Sequence, residues 1–184
     1  MIMACSAEQV QLPHAPKKPF LVLIGGLPGT GKTTLAKKLA HRLRAQHLNS
    51  DILRDRLHKR GQYDEFTKQT IYDALVWATR NYLRAGRPVV VDATFYKRAL
   101  RAPFVQMAQQ LGIPVAWILL TAPEEVVAAR VSQKRPYSEA DFSVYRKVKQ
   151  DFEPLDTPHL VLNTCTTADA LLFQALQFVY ETLS

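Results

Sequence analysis

Eight consecutive residues, Gly26-Leu27-Pro28-Gly29-Thr30-Gly31-Lys32-Thr33, carry the clearest chemical signal in this chain of 184 residues. They fit G-x-x-x-x-G-K-[ST], and the chemistry that pattern serves is the capture of phosphate groups. Gly29 and Gly31 admit positive φ and let the backbone approach phosphate oxygens with no Cβ between. The loop amides then converge as an anion nest. Lys32 supplies a mobile cation for β- and γ-phosphates, and the Thr33 hydroxyl is placed to coordinate Mg²⁺. Thr34 follows on the first helical turn, whose positive dipole end faces the bound phosphates.

Three further groups of residues could do chemistry beside such a loop. Val89-Val90-Val91-Asp92 is an apolar run ending in a carboxylate. An Asp in that place either holds Mg²⁺, often through water, or caps the next helix. Thr94 could bond a phosphate or orient Asp92, or be only a turn hydroxyl. Asp51 and Arg54 open a short helix. Asp51 could act as general base toward an acceptor hydroxyl, with Arg54 holding a polar or anionic substrate. The same pair could equally be a helix cap with an i,i+3 ion pair. Arg130, Lys134 and Arg135 end a helix that Pro136 then breaks. They read as lid cations that neutralise charge on a transferring phosphoryl group, or as a solvated basic helix end facing the dipole.

The elements that must position these residues follow from periodicity. Phe20 to Ile24 is a short apolar run, as a buried parallel strand should be. Leu35, Leu39 and Leu43 recur every four residues among lysines and arginines, which predicts an amphipathic helix. His47-Leu48-Asn49 reads as a second strand. A helix is expected from Ile52, capped by Ser50 or Asp51. A long helix should run from Glu65 to Ala85 and stop at Gly86. Val89 to Val91 makes a third strand, and Ala99 to Leu111 a helix. Pro114 to Leu120 makes a fourth strand. The helix opened by Pro123-Glu124-Glu125 should reach Lys134. A helix over residues 139–152, a strand over His159–Leu162 and a last helix over Thr167–Thr182 complete the chain. Trp77, Trp117, Phe104 and Tyr72 are expected in the core or a pocket wall. Strands alternating with helices predict an α/β protein with a mostly parallel sheet covered on both faces. Ligands then bind at the carboxyl ends of the strands.

Composition narrows the class. With 47% hydrophobic and 22% charged residues the chain can bury a full core, expected over residues 20–184 as one domain. Residues 1–19 have no apolar run and read as a flexible leader rather than a signal peptide. Cys5 and Cys165 have neither metal nor redox spacing, which points to a cytoplasmic setting. No run is long enough for a membrane span. The net charge of +8 suits either an anionic partner or a solvated basic surface. The histidines show no metal-ligand spacing.

The stretches Gly25–Thr34, Asn49–Arg54, Val91–Phe95 and Ala129–Arg130 with Lys134-Arg135 resemble the P-loop kinases that include zeta toxins, chloramphenicol phosphotransferase and the kinase domain of phage polynucleotide kinase. The resemblance spans roughly residues 20–182. It implies a P-loop NTPase fold of three layers, a five-stranded parallel sheet with helices on both faces and a small lid. It implies Asp51 as general base, Arg54 as a substrate contact and Asp92 as the acidic residue of the third strand. It implies Arg130 with Lys134 or Arg135 as lid cations, Arg135 being preferred. Residues Asn163 to Thr166 could approach the adenine.

The expected function is an ATP- and Mg²⁺-dependent kinase acting on a hydroxyl. A small-molecule acceptor is favoured over a nucleic-acid 5′-hydroxyl, because no aromatic and basic stripe tracks a single strand. An ATPase or nucleotide switch is the rival from another class. Oligomeric state cannot be read from the sequence.

Overall fold

The computed structural model describes residues 18–132 and 142–183. The expected leader therefore falls almost wholly outside the described residues, as do Lys134 and Arg135. Five strands form one parallel sheet: β1 (Leu21–Gly26), β2 (Gln46–Asn49), β3 (Val89–Asp92), β4 (Val115–Thr121) and β5 (Leu160–Asn163), in the order β2-β3-β1-β4-β5. The helices between them are α1 (Lys32–Leu43), α2 (Ser50–Arg56), α3 (Glu65–Arg84), α4 (Arg98–Leu111), α5 (Glu124–Val131), α6 (Phe142–Gln150) and α7 (Ala168–Leu183). This is the P-loop α/β fold.

The period of two along each strand divides the core into two layers. Val22, Ile24, Val90, Ala116, Ile118 and Leu120 face α1 and α7. Leu21, Leu23, Val89, Val91 and Trp117 face α3 and α4. Central strands buried on both faces must be apolar at every position, and β1 is buried throughout. On α1, Leu35, Leu39 and Leu43 are buried with Ala36 and Ala40 between them. Each such leucine contributes about 1.5–3 kcal/mol of burial, so α1 is fixed against the sheet directly behind the glycine loop.

Register decides what meets at the carboxyl edge. Ile24 of β1 lies level with Asp92 of β3, and Asp92 lies level with Asn49 of β2. The ends of three strands therefore bring Gly26, Asp92 and Asn49 to one rim, just where α1 and α2 begin.

Three local expectations are corrected. The helix after β2 begins at Ser50, and its cap is Asn49, whose side chain accepts from Ile52 N. The carboxamide makes that bond because β2 delivers it in extended conformation, the geometry an N-cap requires. The helix after β4 ends at Val131 with Ser132 as its cap, so it stops short of Lys134. Trp77 is neither core nor pocket wall but 69% exposed on α3, whose buried stripe is Ile71, Tyr72, Leu75, Thr79 and Leu83. Trp117, Phe104 and Tyr72 are buried as expected.

Candidate active site

The glycine loop leaves β1 through Gly26, at φ 142°, where a Cβ would stand 2.4 Å from the Leu120 carbonyl oxygen. No other residue type fits between β1 and β4 at that point. Gly29 has φ 83°, and a Cβ there would come within 2.8 Å of Val131 and 2.9 Å of Val127. Helix α5 thus packs on the loop itself and braces it. Gly31, also left-handed, caps α1, and the Thr30 hydroxyl donates to Leu27 O at 2.8 Å. Lys32 arches back so that Nζ donates to Leu27 O at 2.9 Å. The arrangement is a glycine-bent loop at a helix N-terminus with a lysine folded over it, which suits a polyphosphate.

Beside the loop, one buried carboxylate on β3 gathers side chains from α1 and β2. Asp92 is 1% exposed. Its Oδ2 accepts from the Thr33 hydroxyl at 2.7 Å and from Asn49 Nδ2 at 2.7 Å, and its Oδ1 meets His47 Nε2. Asn49 Nδ2 also donates to Thr33 Oγ1 at 3.2 Å. A carboxylate, a hydroxyl and a carboxamide at this spacing are the hard oxygen donors and supporting groups that Mg²⁺ prefers. Residues Thr33 and Asp92 therefore fit the ion. Neither His47 nor Asn49 stood out from the sequence as a site residue. The strand period could have found them, since positions 47 and 49 of an extended β2 share one face. Among the described residues no group of three or more His, Cys, Asp and Glu could hold a metal alone.

A cleft of about 760 Å³ opens over this rim. Lys32, Thr33, Asp51, Arg54, Asp92, Thr94 and Arg130 all line it, so the fold brings the separated candidates together. Helix α2 contributes Asp51 and Arg54 to the lining. Arg54 is 6% exposed. Its Nη1 donates to Gln62 O at 2.5 Å, and its guanidinium lies 4.6 Å from the centre of the Tyr63 ring.

Thr94 is held by Tyr72. The Tyr72 oxygen accepts from Phe95 N at 3.1 Å and lies 3.3 Å from Thr94 Oγ1. Burial pushes the Tyr72 phenol up to about 12, with the charges of Tyr96 and Asp51 adding to the rise and the bonds to Thr94 and Phe95 opposing it. The phenol is therefore neutral at working pH and keeps its proton for a hydrogen bond. Phe95 itself has φ 51°, a strained value for a bulky residue. Edge-to-face contacts with Tyr72, Phe104 and Trp117 bury the ring and offset that strain. The turn then offers Thr94 and Tyr96 to the cleft.

Arg130 sits on the nucleotide side. It donates to Thr164 Oγ1 at 2.8 Å and Thr164 O at 3.0 Å, and reaches Gly29 O at 3.5 Å. These bonds join α5 to the turn after β5, where Thr164 and Thr166 line the cleft. Lys68 and Lys147 also line it and were not singled out, because a lysine on an amphipathic helix reads as ordinary surface.

Comparison with known proteins speaks to the family and the fold. The family model described as AAA domain matches residues 21–155. A protein of Aeropyrum pernix named probable adenylyl-sulfate kinase is 30% identical over 159 residues, 80% of this chain and 85% of that protein. The unliganded structure of a sugar kinase from Janibacter superposes with a TM-score of 0.70 at 21% identity, covering 90% of this chain and 96% of that one. The Mycobacterium tuberculosis APS kinase, solved with AMPPNP and APS, superposes with a TM-score of 0.68 at 18% identity, covering 90% and 99%. At such identities the two structures speak for the fold.

Proposed function

The chain belongs to the AAA domain family of P-loop kinases, and from that premise we propose that it transfers the γ-phosphoryl group of ATP to a hydroxyl of a small-molecule acceptor. The observation that supports this reading is the cleft itself, which the glycine loop, Lys32, Thr33 and Asp51 line together. Within the family, residues 49–54 and 91–95 support a narrower kinship with zeta toxins, chloramphenicol phosphotransferase and polynucleotide kinase. A cytoplasmic setting, where ATP is abundant, goes with this reading. No helix among the described residues is long and apolar enough to cross a membrane.

In this reading the loop amides and Lys32 hold the β- and γ-phosphates. Thr33 and Asp92 would hold Mg²⁺, with Asn49 and His47 fixing the Asp92 carboxylate. The ion would supply positive charge to offset that developing on the phosphates. Asp51 removes the acceptor's hydroxyl proton as its oxygen bonds to the γ-phosphorus. The bond from that phosphorus to the bridging oxygen breaks in line, and ADP leaves with the electron pair. Arg130, and Arg135 from the segment between α5 and α6, stabilise the charge on the transferring group. Positioning and preorganised charge carry the rate.

The test is transfer from γ-labelled ATP with Mg²⁺, run on a metabolite extract and on a 5′-hydroxyl oligonucleotide, with Lys32→Ala as the blank. Label on a small molecule is expected, and Asp51→Asn is expected to abolish it while ATP still binds. Label on the oligonucleotide alone would replace the small-molecule reading. Free phosphate alone, absent from the blank, would favour an ATPase.

A further inference from the structure

One carboxamide joins Asp92 and Thr33 to the helix that carries Asp51. Asn49 ends β2 in extended conformation and is only 7% exposed. Its Oδ1 accepts from Ile52 N at 2.7 Å and closes the first turn of α2. That turn encloses Ser50 and Asp51, so the bond fixes the backbone on which Asp51 stands. Its Nδ2 donates to Asp92 Oδ2 at 2.7 Å and lies 3.2 Å from Thr33 Oγ1. Both ends of one flat, stiff group are therefore committed, the oxygen to α2 and the nitrogen to the pair that suits Mg²⁺.

A cap alone does not ask for this residue type. Ser, Asp and Asn cap a helix about equally well. A serine would accept from Ile52 N, but its one oxygen stands where the carboxamide carbon does and falls short of Asp92. An aspartate would accept too, but it has no donor and would set a second carboxylate against Asp92. Among the good caps only asparagine accepts at one atom and donates at the other.

Helix α2 needs such a reference. It has seven residues, and those it buries are Ser50 and Arg54 rather than an apolar stripe. Apolar packing therefore does little to fix its place. The far end of the carboxamide is firm by contrast. Asp92 lies level with Asn49 in the sheet, and Thr33 belongs to α1, which buries Leu35, Leu39 and Leu43.

We infer that Asn49 is a positioning residue for transfer: it sets the distance between Asp51 and the Thr33–Asp92 pair, and with it the distance from the base to the γ-phosphate. The word transfer rests on the kinase reading, whereas the spacing of α2 from the pair stands on the hydrogen bonds. Asn49 touches no reacting atom in this role. Asp51 can take the acceptor's proton only from within hydrogen-bond reach, and a misplacement of about 1 Å can cost about a hundredfold in rate. Loss of the bridge falls on kcat rather than on KM for either substrate.

Two variants separate the bridge from the cap. Asn49→Ser keeps the cap and loses the bridge, and Asn49→Ala loses both. The first measurement needs no acceptor. Each protein is saturated with AMPPNP and Mn²⁺, whose unpaired electrons broaden amide NMR signals steeply with distance, and the α1 amides serve as the internal reference. The signals of Asp51, Ile52 and Leu53 are expected to change their broadening in Asn49→Ser, while its melting curve stays close to wild type and shows that it is folded. Broadening identical to wild type overturns the inference.

The second measurement is transfer. Asn49→Ser is expected to lower kcat by about tenfold or more, with both KM values held within a factor of two or so. Asn49→Ala should match it in kcat and melt roughly 2–4 °C lower for want of the cap. If Asn49→Ser transfers like wild type and only Asn49→Ala loses rate, Asn49 is a cap alone, which overturns the inference and leaves the kinase reading intact. Altered broadening in Asn49→Ser, with no transfer by wild type to any acceptor, supports the fixed spacing and overturns the kinase reading instead.

Discussion

The two walls of the cleft are made differently. The nucleotide wall is mostly backbone: a run of consecutive residues bent by Gly26, Gly29 and Gly31, with amides as its donors. The acceptor wall is mostly side chains, drawn from α2, α3, the turn after β3 and α6. A backbone wall tolerates almost no change of residue at its bends but needs few specific side chains. A wall of side chains can be re-dressed position by position while the fold stays the same. The contrast predicts that variants on the first wall lose nucleotide and variants on the second lose acceptor.

The largest effects should come from the nucleotide wall. Lys32→Ala is expected to lower transfer by about 10³-fold or more, since it removes the preorganised cation on the transferring phosphoryl group. Gly29→Ala would add a Cβ against Val127 and Val131 at positive φ. It should weaken ATP binding and cost about 1–3 kcal/mol of stability, read by calorimetric melting. Asp51→Asn belongs to the other wall. It should lower transfer by about 10²–10⁴-fold while the ATP dissociation constant stays within a factor of two or so. If Asp51→Asn and Lys32→Ala weaken ATP binding alike, the division between the walls fails.

The same division explains what was legible in the sequence. The glycine loop was readable because its chemistry lies in adjacent residues, and positive φ at Gly29 and Gly31 follows from residue type. The two-sided sheet was readable because Val89-Val90-Val91 is apolar at every position, as a doubly covered strand must be. Asp92 was readable as a strand end. Its partners Asn49 and His47 were not, because only the register of β2 beside β3 brings them to it. Nor was the role of Asn49 as cap, since Ser50 and Asp51 are equally good capping types and only the extended backbone at 49 decides. Arg54 could be named, yet its tie to Gln62 O is contributed by a loop that no periodicity marks. Trp77 was misplaced because aromatic residues on a helix are usually buried, whereas its side of α3 faces solvent.

Tyr72→Phe probes how the acceptor wall is held, at a smaller scale. It removes one oxygen and leaves Phe95 N buried without its acceptor. The expected cost is about 1–3 kcal/mol, with a rise in KM for the acceptor and little change for ATP, because Thr94 loses its support. A pH signature goes with it. Burial first, with Tyr96 and Asp51 adding, raises the folded phenol from 10.0 to about 12. The fold therefore retains a proton that the unfolded chain releases. The contribution of this group is fully present below pH 10 and is lost as pH rises toward 12, by roughly 2–3 kcal/mol in all. Alkaline melting curves should show this slope in wild type and a flatter one in Tyr72→Phe.

The smallest effect should come from the ion pair that links α5 to α6. Lys149 Nζ meets Glu124 Oε2 at 2.7 Å, with both side chains open to water. The bond from Lys149 holds the Glu124 carboxyl below its usual range, against a weak opposing effect of burial. A depressed carboxylate contributes above its ordinary pKa and stops contributing as pH falls through the lowered one. The pair is therefore intact at neutral pH, but solvent and salt screen it. Helix α6 has stronger ties to the acceptor wall. Val148 and Phe152 pack with the aromatic cluster, and Arg101 donates to Glu153 O and Pro154 O, both at 2.9 Å. Glu124→Gln should accordingly change neither the melting temperature nor acceptor KM measurably in physiological salt. A rise in acceptor KM in that variant would mean that the α5–α6 pair sets the position of Lys147. The acceptor wall would then depend on the helix that braces Gly29, and the two walls would be coupled rather than separate.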